Sequence, residues 1–201
     1  MKIAVVAANG KAGQLIVKEA LAQGLDVTAI VRHTNHSLAQ RVIEKDLFDL
    51  TRDDLAGFDA VVDAFGAWTP ETLPLHSSSL KHLCDTLSGT KVRLLVVGGA
   101  GSLYTDKTHT LQLVDTPDFP SAFKPLATAM GKALTELRSR LLRPAAEERP
   151  WLVARLAGQG FDALLAGYAS VLEFDAEALA AFLPLVHADF ALSEVEYFHG
   201  I

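Results

Sequence analysis

The chain has 201 residues, half of them apolar, and a formal net charge of −6. That length suits one domain with a sizeable core, and the scattered Lys and Arg leave no basic face for nucleic acid or an anionic membrane. A single cysteine, Cys84, excludes an internal disulfide, no apolar run approaches the ~18 residues of a membrane span, and the N-terminus runs straight into a strand, so a soluble cytoplasmic protein is expected.

Lys2 to Ala7 is short, β-branched and apolar on both faces, the pattern of a buried parallel strand. The sequence then passes through Ala8, Asn9 and Gly10 into a helical pattern with Ala12, Leu15, Ile16 and Ala20 on one side and Gly24 as its stop. Gly10 lets the backbone approach a pyrophosphate, and Gly13 lets the helix pack closely while its free amides and dipole face the anion. A second apolar run, Val27 to Val31, completes the order of a βαβ nucleotide unit.

The loop after that run, Arg32-His33-Thr34, is placed to meet an adenosine ribose. An acid there would bind both ribose hydroxyls, whereas Arg32 offers a fork for a 2′-phosphate and points to NADP, with NAD still open; a solvated loop cation is the other reading. Arg41 to Lys45 reads as a third strand ending in Asp46 and Leu47, which suit an adenine amino group and ring. Asp49, Asp53 and Asp54 cap and open a short helix around Thr51 to Leu55. The fourth strand, Ala60 to Phe65, ends in Gly66, which gives a cofactor room to pass. A helix is predicted over Thr69 to Leu87 with Pro70 in its first turn. His76 and His82, six residues apart on it, do not suit a shared metal, so no metal site is expected, and Cys84 reads as a buried small hydrophobe.

Strand five, Val92 to Val97, runs into Gly98, Gly99, Ala100, Gly101, Ser102 and Tyr104. A long helix, Leu126 to Leu142, follows, with Leu126, Met130, Leu134, Leu137 and Leu141 as its core stripe and Thr128, Lys132 and Glu136 on another side. Beyond a polar break at 144–150, Trp151 to Leu156 reads as a sixth strand, and helices are expected before Pro184 and over His187 to Tyr197.

Four segments together carry a resemblance: Ala8-Asn9-Gly10-Lys11-Ala12-Gly13, Lys45-Asp46-Leu47-Phe48-Asp49, Asp63-Ala64-Phe65-Gly66-Ala67-Trp68, and Val97 to Leu103. They resemble the bacterial NADH-flavin reductase-like proteins, NmrA-like atypical short-chain dehydrogenases related to the biliverdin and flavin reductases. The likeness is dense from Met1 to about Arg140, fades over 141–186 and returns at His187 to Ala191. It implies an α/β Rossmann-like, doubly wound parallel sheet with helices on both faces. The expected organisation is one NAD(P)-binding domain, 1–201, with a dinucleotide-binding core over 1–140 and a small C-terminal substrate-side region over 141–201. The expected cofactor contacts are Ala8, Asn9, Gly10, Lys11, Ala12, Gly13, Arg32, His33, Asp46, Leu47, Ala64, Phe65, Gly66, Gly98 and Gly99. In the related Gly-x-x-Gly-x-x-Gly turn the first glycine is Ala7 here, which fits only if its φ stays negative.

The chemistry is less conventional. Ordinary short-chain dehydrogenases pair a tyrosine acid with a lysine four residues on, and here Lys132 takes the lysine position while Thr128, too weak an acid, takes the tyrosine's. Ser102, Tyr104 and Lys132 are the catalytic candidates. Their bland counterparts are a backbone-satisfying serine, a core tyrosine, and a lysine paired with Glu136. Flavin asks less of the protein than a ketone, because its reduced ring delocalises charge, so the expected activity is hydride transfer from NAD(P)H to a flavin or similar planar acceptor that comes as substrate and is not a bound prosthetic group. A homodimer is compatible with this. The alternative function is a non-catalytic NADP(H) sensor acting through a partner protein.

Overall fold

The computed structural model describes residues 1–106 and 108–141, which form five strands and four α-helices. The expected strand at 151–156 and the helices beyond it lie outside these residues.

Strands β1 (Lys2–Val6), β2 (Asp26–Val31), β3 (Arg41–Glu44), β4 (Ala60–Asp63) and β5 (Arg93–Val96) make one parallel sheet in the order β3-β2-β1-β4-β5. Every pairing is parallel, for example Val5 with Ala29 on one side and with Val62 on the other. The alternation of side chains across a strand divides the core in two. Ile3, Val5, Val27 and Ala29 face helix α1 (Lys11–Ala22), whose Ala12, Val17 and Ala20 are buried on them. Ala4, Val6, Ile30, Val61 and Leu94 face the other way, onto Leu80, Leu83, Cys84 and Leu87 of α3 (Leu75–Leu87) and Ala133 and Leu137 of α4 (Lys124–Leu141). This is the doubly wound Rossmann architecture that the sequence predicts.

Two elements differ from expectation. Helix α3 starts at Leu75 rather than Thr69, because the Thr69 carbonyl accepts from the amides of Thr72 and Leu73 and closes a separate turn, after which Pro74 takes the N-cap. Among the described side chains of α4, Ala127, Ala133 and Leu137 are buried, while Leu126, Met130 and Leu134 of the expected stripe are only partly buried and Leu141 lies outside those described. A small residue is needed at Ala127 because the loop after β5 rides directly on the helix there: a Cβ on Gly101 would lie 2.6 Å from that of Ala127. The short helix α2 (Arg52–Leu55) is opened by a reciprocal capping box between Thr51 and Asp54.

No helix among the described residues is long and apolar enough to cross a membrane.

Candidate functional site

The strand order reverses between β1 and β4, and ligands of open α/β sheets bind outside the carboxyl ends of strands at such a point. A cleft of about 410 Å³ opens there, lined by the turn after β1 (Ala7, Asn9 to Ala12), the ends of β2 and β3 (Ile30 to His33, Lys45 to Phe48), the loop after β4 (Ala64 to Gly66, Trp68) and Leu75.

The turn after β1 is set by its backbone. The Ala7 carbonyl accepts from Gly10 N–H at 2.9 Å, and Ala8 N–H donates to Ile30 O at 3.3 Å. These bonds hold Ala7 at φ +57°, so the condition of a negative φ is not met and an alanine occupies a left-handed position. Gly13 is required for close packing: a Cβ there would stand 2.4 Å from Ala7 O and 2.7 Å from Ala8 Cα. Helix α1 has no side-chain cap and no acid in its first turn, and its first bond runs from Gln14 N–H to Gly10 O at 2.8 Å. The amides of Lys11, Ala12 and Gly13 therefore precede the first helical bond at the cleft edge, with the cationic Lys11 set against the positive end of the helix dipole. Both features are unfavourable alone and favourable with an anion in place.

The rest of the lining suits the other parts of a dinucleotide. Arg32 is exposed at the end of β2, and among the described residues neither it nor Lys11 has a carboxylate partner. Asp46 Oδ1 accepts from Phe48 N–H at 2.9 Å and so caps the turn Leu47–Asp49, beside the cleft's apolar wall of Leu47, Phe48, Phe65 and Leu75. Asn9, an expected cofactor contact, also latches the two loops together, donating to Thr34 O at 2.9 Å and accepting from His36 N–H at 2.7 Å.

Four residues that the sequence reading did not place in the site build or support it: Lys45 in the lining, and Asp54, Asp63 and His76 behind it. Lys45 Nζ bonds both carboxylate oxygens of Asp54 at 2.8 and 2.7 Å, and this contact, with the Thr51 bonds, holds the Asp54 carboxyl down at about 2. Asp63, 4 % exposed at the end of β4, accepts from Phe65 N–H at 3.0 Å, yet burial pushes its carboxyl up to about 6. His76 reaches back from α3 to the backbone of Ala67, and burial lowers its pKa. A lone charge closing an apolar strand run was the available signal for Asp63; nothing in the sequence ties His76 to Ala67.

Of the expected contacts, Asn9, Gly10, Lys11, Ala12, Arg32, His33, Asp46, Leu47, Ala64, Phe65 and Gly66 meet around the cleft. Ala8 and Gly13 are buried beneath it, and Gly98 and Gly99 stand outside its lining, where a Cβ on Gly99 would be 2.9 Å from Met130 Sδ. The room left by Gly66 is taken by the indole of Trp68. The three catalytic candidates are also outside the lining. Ser102 Oγ donates to Gly99 O at 3.2 Å, Tyr104 stacks on His109 with ring centroids 4.8 Å apart, and the Lys132 side chain is 71 % exposed with its Nζ 3.8 Å from Glu136.

Residues 7–145 match the model of a family described as NAD(P)H-binding, a stretch that begins at the turn after β1. The chain belongs to that NAD(P)H-binding family. A solved structure from Streptococcus pneumoniae TIGR4, named as a candidate NADH-flavin reductase, is 56% identical, with a TM-score of 0.69 over 76% of this chain and 70% of its own. The YwnB protein of Bacillus subtilis (strain 168) is 48% identical over 141 residues, which are 69% of this chain and 66% of YwnB, so the match leaves about a third of that relative uncovered. The Lmo0794 protein of Listeria monocytogenes is 33% identical with a TM-score of 0.54, over 85% of this chain and 92% of its own. A nicotinamide dinucleotide thus fits the cleft on both its geometry and its kin.

Proposed function

We propose that the protein is an NADPH-dependent oxidoreductase that passes hydride to a flavin or a similar planar acceptor. The observation that carries the reading is the uncapped start of α1, with the amides of Lys11 to Gly13 and the Lys11 charge set at a cleft that also holds Arg32. In this reading those amides bind the pyrophosphate, Arg32 binds the 2′-phosphate, and Asp46 and Leu47 hold the adenine. When bound, the nicotinamide supplies the hydride.

The acceptor class follows from what the chain's own residues can do with a proton. No tyrosine lines the cleft among the described residues, and Thr128 and Lys132 are both exposed. The protein's contribution is then positioning and exclusion of water, with Ser102, Tyr104 and Lys132 acting on the reaction through the loop and helix that carry them. A flavin tolerates this because it collects its proton from solvent, whereas a ketone leaves a localised alkoxide. The kinship with a protein named for NADH-flavin reductase supports the same acceptor class.

The engagement of Ser102 with Gly99 and of Lys132 with Glu136 also favours a second reading, a sensor that binds NADP(H) without turnover. Stopped assays of NADPH oxidation with riboflavin, FMN and a simple ketone separate the two. Turnover with flavins alone supports the oxidoreductase; tight NADP binding with no turnover on any acceptor supports the sensor; failure to bind either dinucleotide removes both.

A further inference from the structure

Two of the large apolar side chains left exposed on this molecule, Phe48 at 41 % and Trp68 at 47 %, line the same cleft. Exposed tryptophan surface forfeits hydrophobic stabilisation unless a ligand covers it. Trp68 is also held in place. Three atoms of its indole, Cζ2, Cε2 and Nε1, lie where a Cβ on Gly66 would be 3.0, 3.3 and 3.4 Å away, so the ring edge rests on bare glycine backbone. On its N-terminal side Ala67 is bonded by His76, and on its C-terminal side Thr69 is locked to Thr72, whose hydroxyl accepts from Thr69 N–H at 3.2 Å.

We propose that the Trp68 indole, seated on Gly66, is the stacking shelf for a planar nitrogen heterocycle, and that His76 is its positioning residue through Ala67. A fixed aromatic ring loses little freedom on binding, and its π-face accepts any flat base. In this cleft such a ring has two sources, the adenine of the dinucleotide and the flavin of the acceptor. The proposal deepens the reading above and rests on it for the identity of the ring, not for the existence of the shelf.

The test uses the Trp151→Phe protein, in which Trp68 is the remaining one of the chain's two tryptophans. Trp68 emission is followed during separate titrations with NADP, 2′,5′-ADP and riboflavin, with calorimetry in parallel. Saturable quenching by at least one of the three is expected. Trp68→Ala should weaken that ligand's binding by roughly tenfold and Trp68→Phe by no more than about threefold, the scale of one base-aromatic stack. Quenching by 2′,5′-ADP assigns adenine to the shelf, and quenching by riboflavin alone assigns the acceptor. If NADP or riboflavin binds by calorimetry while none of the three ligands moves Trp68 emission, or if none of the three binds, the shelf is wrong. NADP binding with unmoved emission leaves the dinucleotide reading standing; riboflavin quenching without NADP binding removes that reading and keeps the shelf.

Discussion

His76 Nε2 lies 3.0 Å from the carbonyl oxygen of Ala67, across the interval between the first turn of α3 and the loop after β4. The same nitrogen is 3.4 Å from Ala67 N, and since one ring nitrogen cannot serve both groups, the shorter contact makes it an Nε2–H donor to the carbonyl. Because His76 is 7 % exposed, its loss leaves that carbonyl short of a partner in a buried place. His76→Ala should cost about 1–3 kcal/mol in urea unfolding. It should also raise the dinucleotide Kd through the loosened loop, while His76→Gln, which can keep an N–H donor, should recover part of both losses.

Asp63 gives a pH signature of definite sign. Its folded pKa, raised to about 6 from 3.8, means that the native state holds its proton more tightly, so this stabilisation is complete below about pH 4 and is lost as pH rises through about 6. Two units correspond to about 2–3 kcal/mol. His76, with a lowered pKa, works in the opposite direction, its contribution being lost as pH falls below the ordinary histidine range. Comparison with Asp63→Asn isolates the first effect: wild type should lose stability relative to the variant between about pH 4 and 6.5. Parallel curves for the two proteins would show that Asp63 is ionised throughout.

Ala7 predicts an inverted glycine effect. At φ +57° an alanine carries about 1–2 kcal/mol of left-handed strain. Ala7→Gly relieves it, set against about 0.4–1 kcal/mol of added unfolded-state entropy. Thermal unfolding should therefore show an unchanged or higher Tm, where a glycine replacing alanine normally lowers it. Ala7→Val, a β-branched residue at the same φ, should lower Tm by several degrees.

Arg32 carries the proposed preference for NADPH. Loss of one charge-assisted phosphate contact is on the order of 1.5–3 kcal/mol, so Arg32→Ala should weaken NADPH binding by roughly ten- to a hundredfold and leave NADH nearly unchanged. Equal losses by fluorescence titration would mean that Arg32 shapes the loop and does not read the phosphate.

Gly13→Ala tests the packing role independently of any ligand. With its Cβ 2.4 Å from Ala7 O, helix α1 must shift off the turn, an overpacking cost of about 1–3 kcal/mol. Denaturation without cofactor should show the loss, in contrast to Gly10→Val, whose larger effect is expected on dinucleotide affinity.

The strands and α1 were legible because each rests on local pattern: β-branched runs such as Val27 to Val31, and a glycine turn between the first run and a helical stripe. What escaped was set by tertiary contact. Ala127 marks the buried face of α4 because Gly101 of a distant loop packs against it, and counting leucines alone cannot reveal that. The start of α3 was misplaced because Thr69-Pro70 and Pro74 both resemble a helix opening, and only the Thr69 to Leu73 turn separates them. At the cleft, residues close to the strand ends in sequence were found from topology, whereas Gly98 and Gly99 follow a strand in the same way yet stand outside the lining, Gly99 packed beside Met130 of α4. The support from Asp54 and His76 comes from side chains that close on distant backbone or charge, which no spacing encodes.

The central place of β1 also governs the order in which this molecule can assemble. Its pairing with β2 needs one short helical crossover, but its pairing with β4 closes a separation that the bond from Lys2 N–H to Asp59 Oδ2, 2.6 Å long, puts at 57 residues. Chain-closure entropy makes the local half, β1 to β3 with α1, the earlier partner and β4 the later one. The turn after β1 therefore belongs to the early half, while Phe65 and Trp68 arrive with the late one. A nucleotide gains both walls only after β4 has docked, so dinucleotide should slow unfolding far more than it speeds refolding.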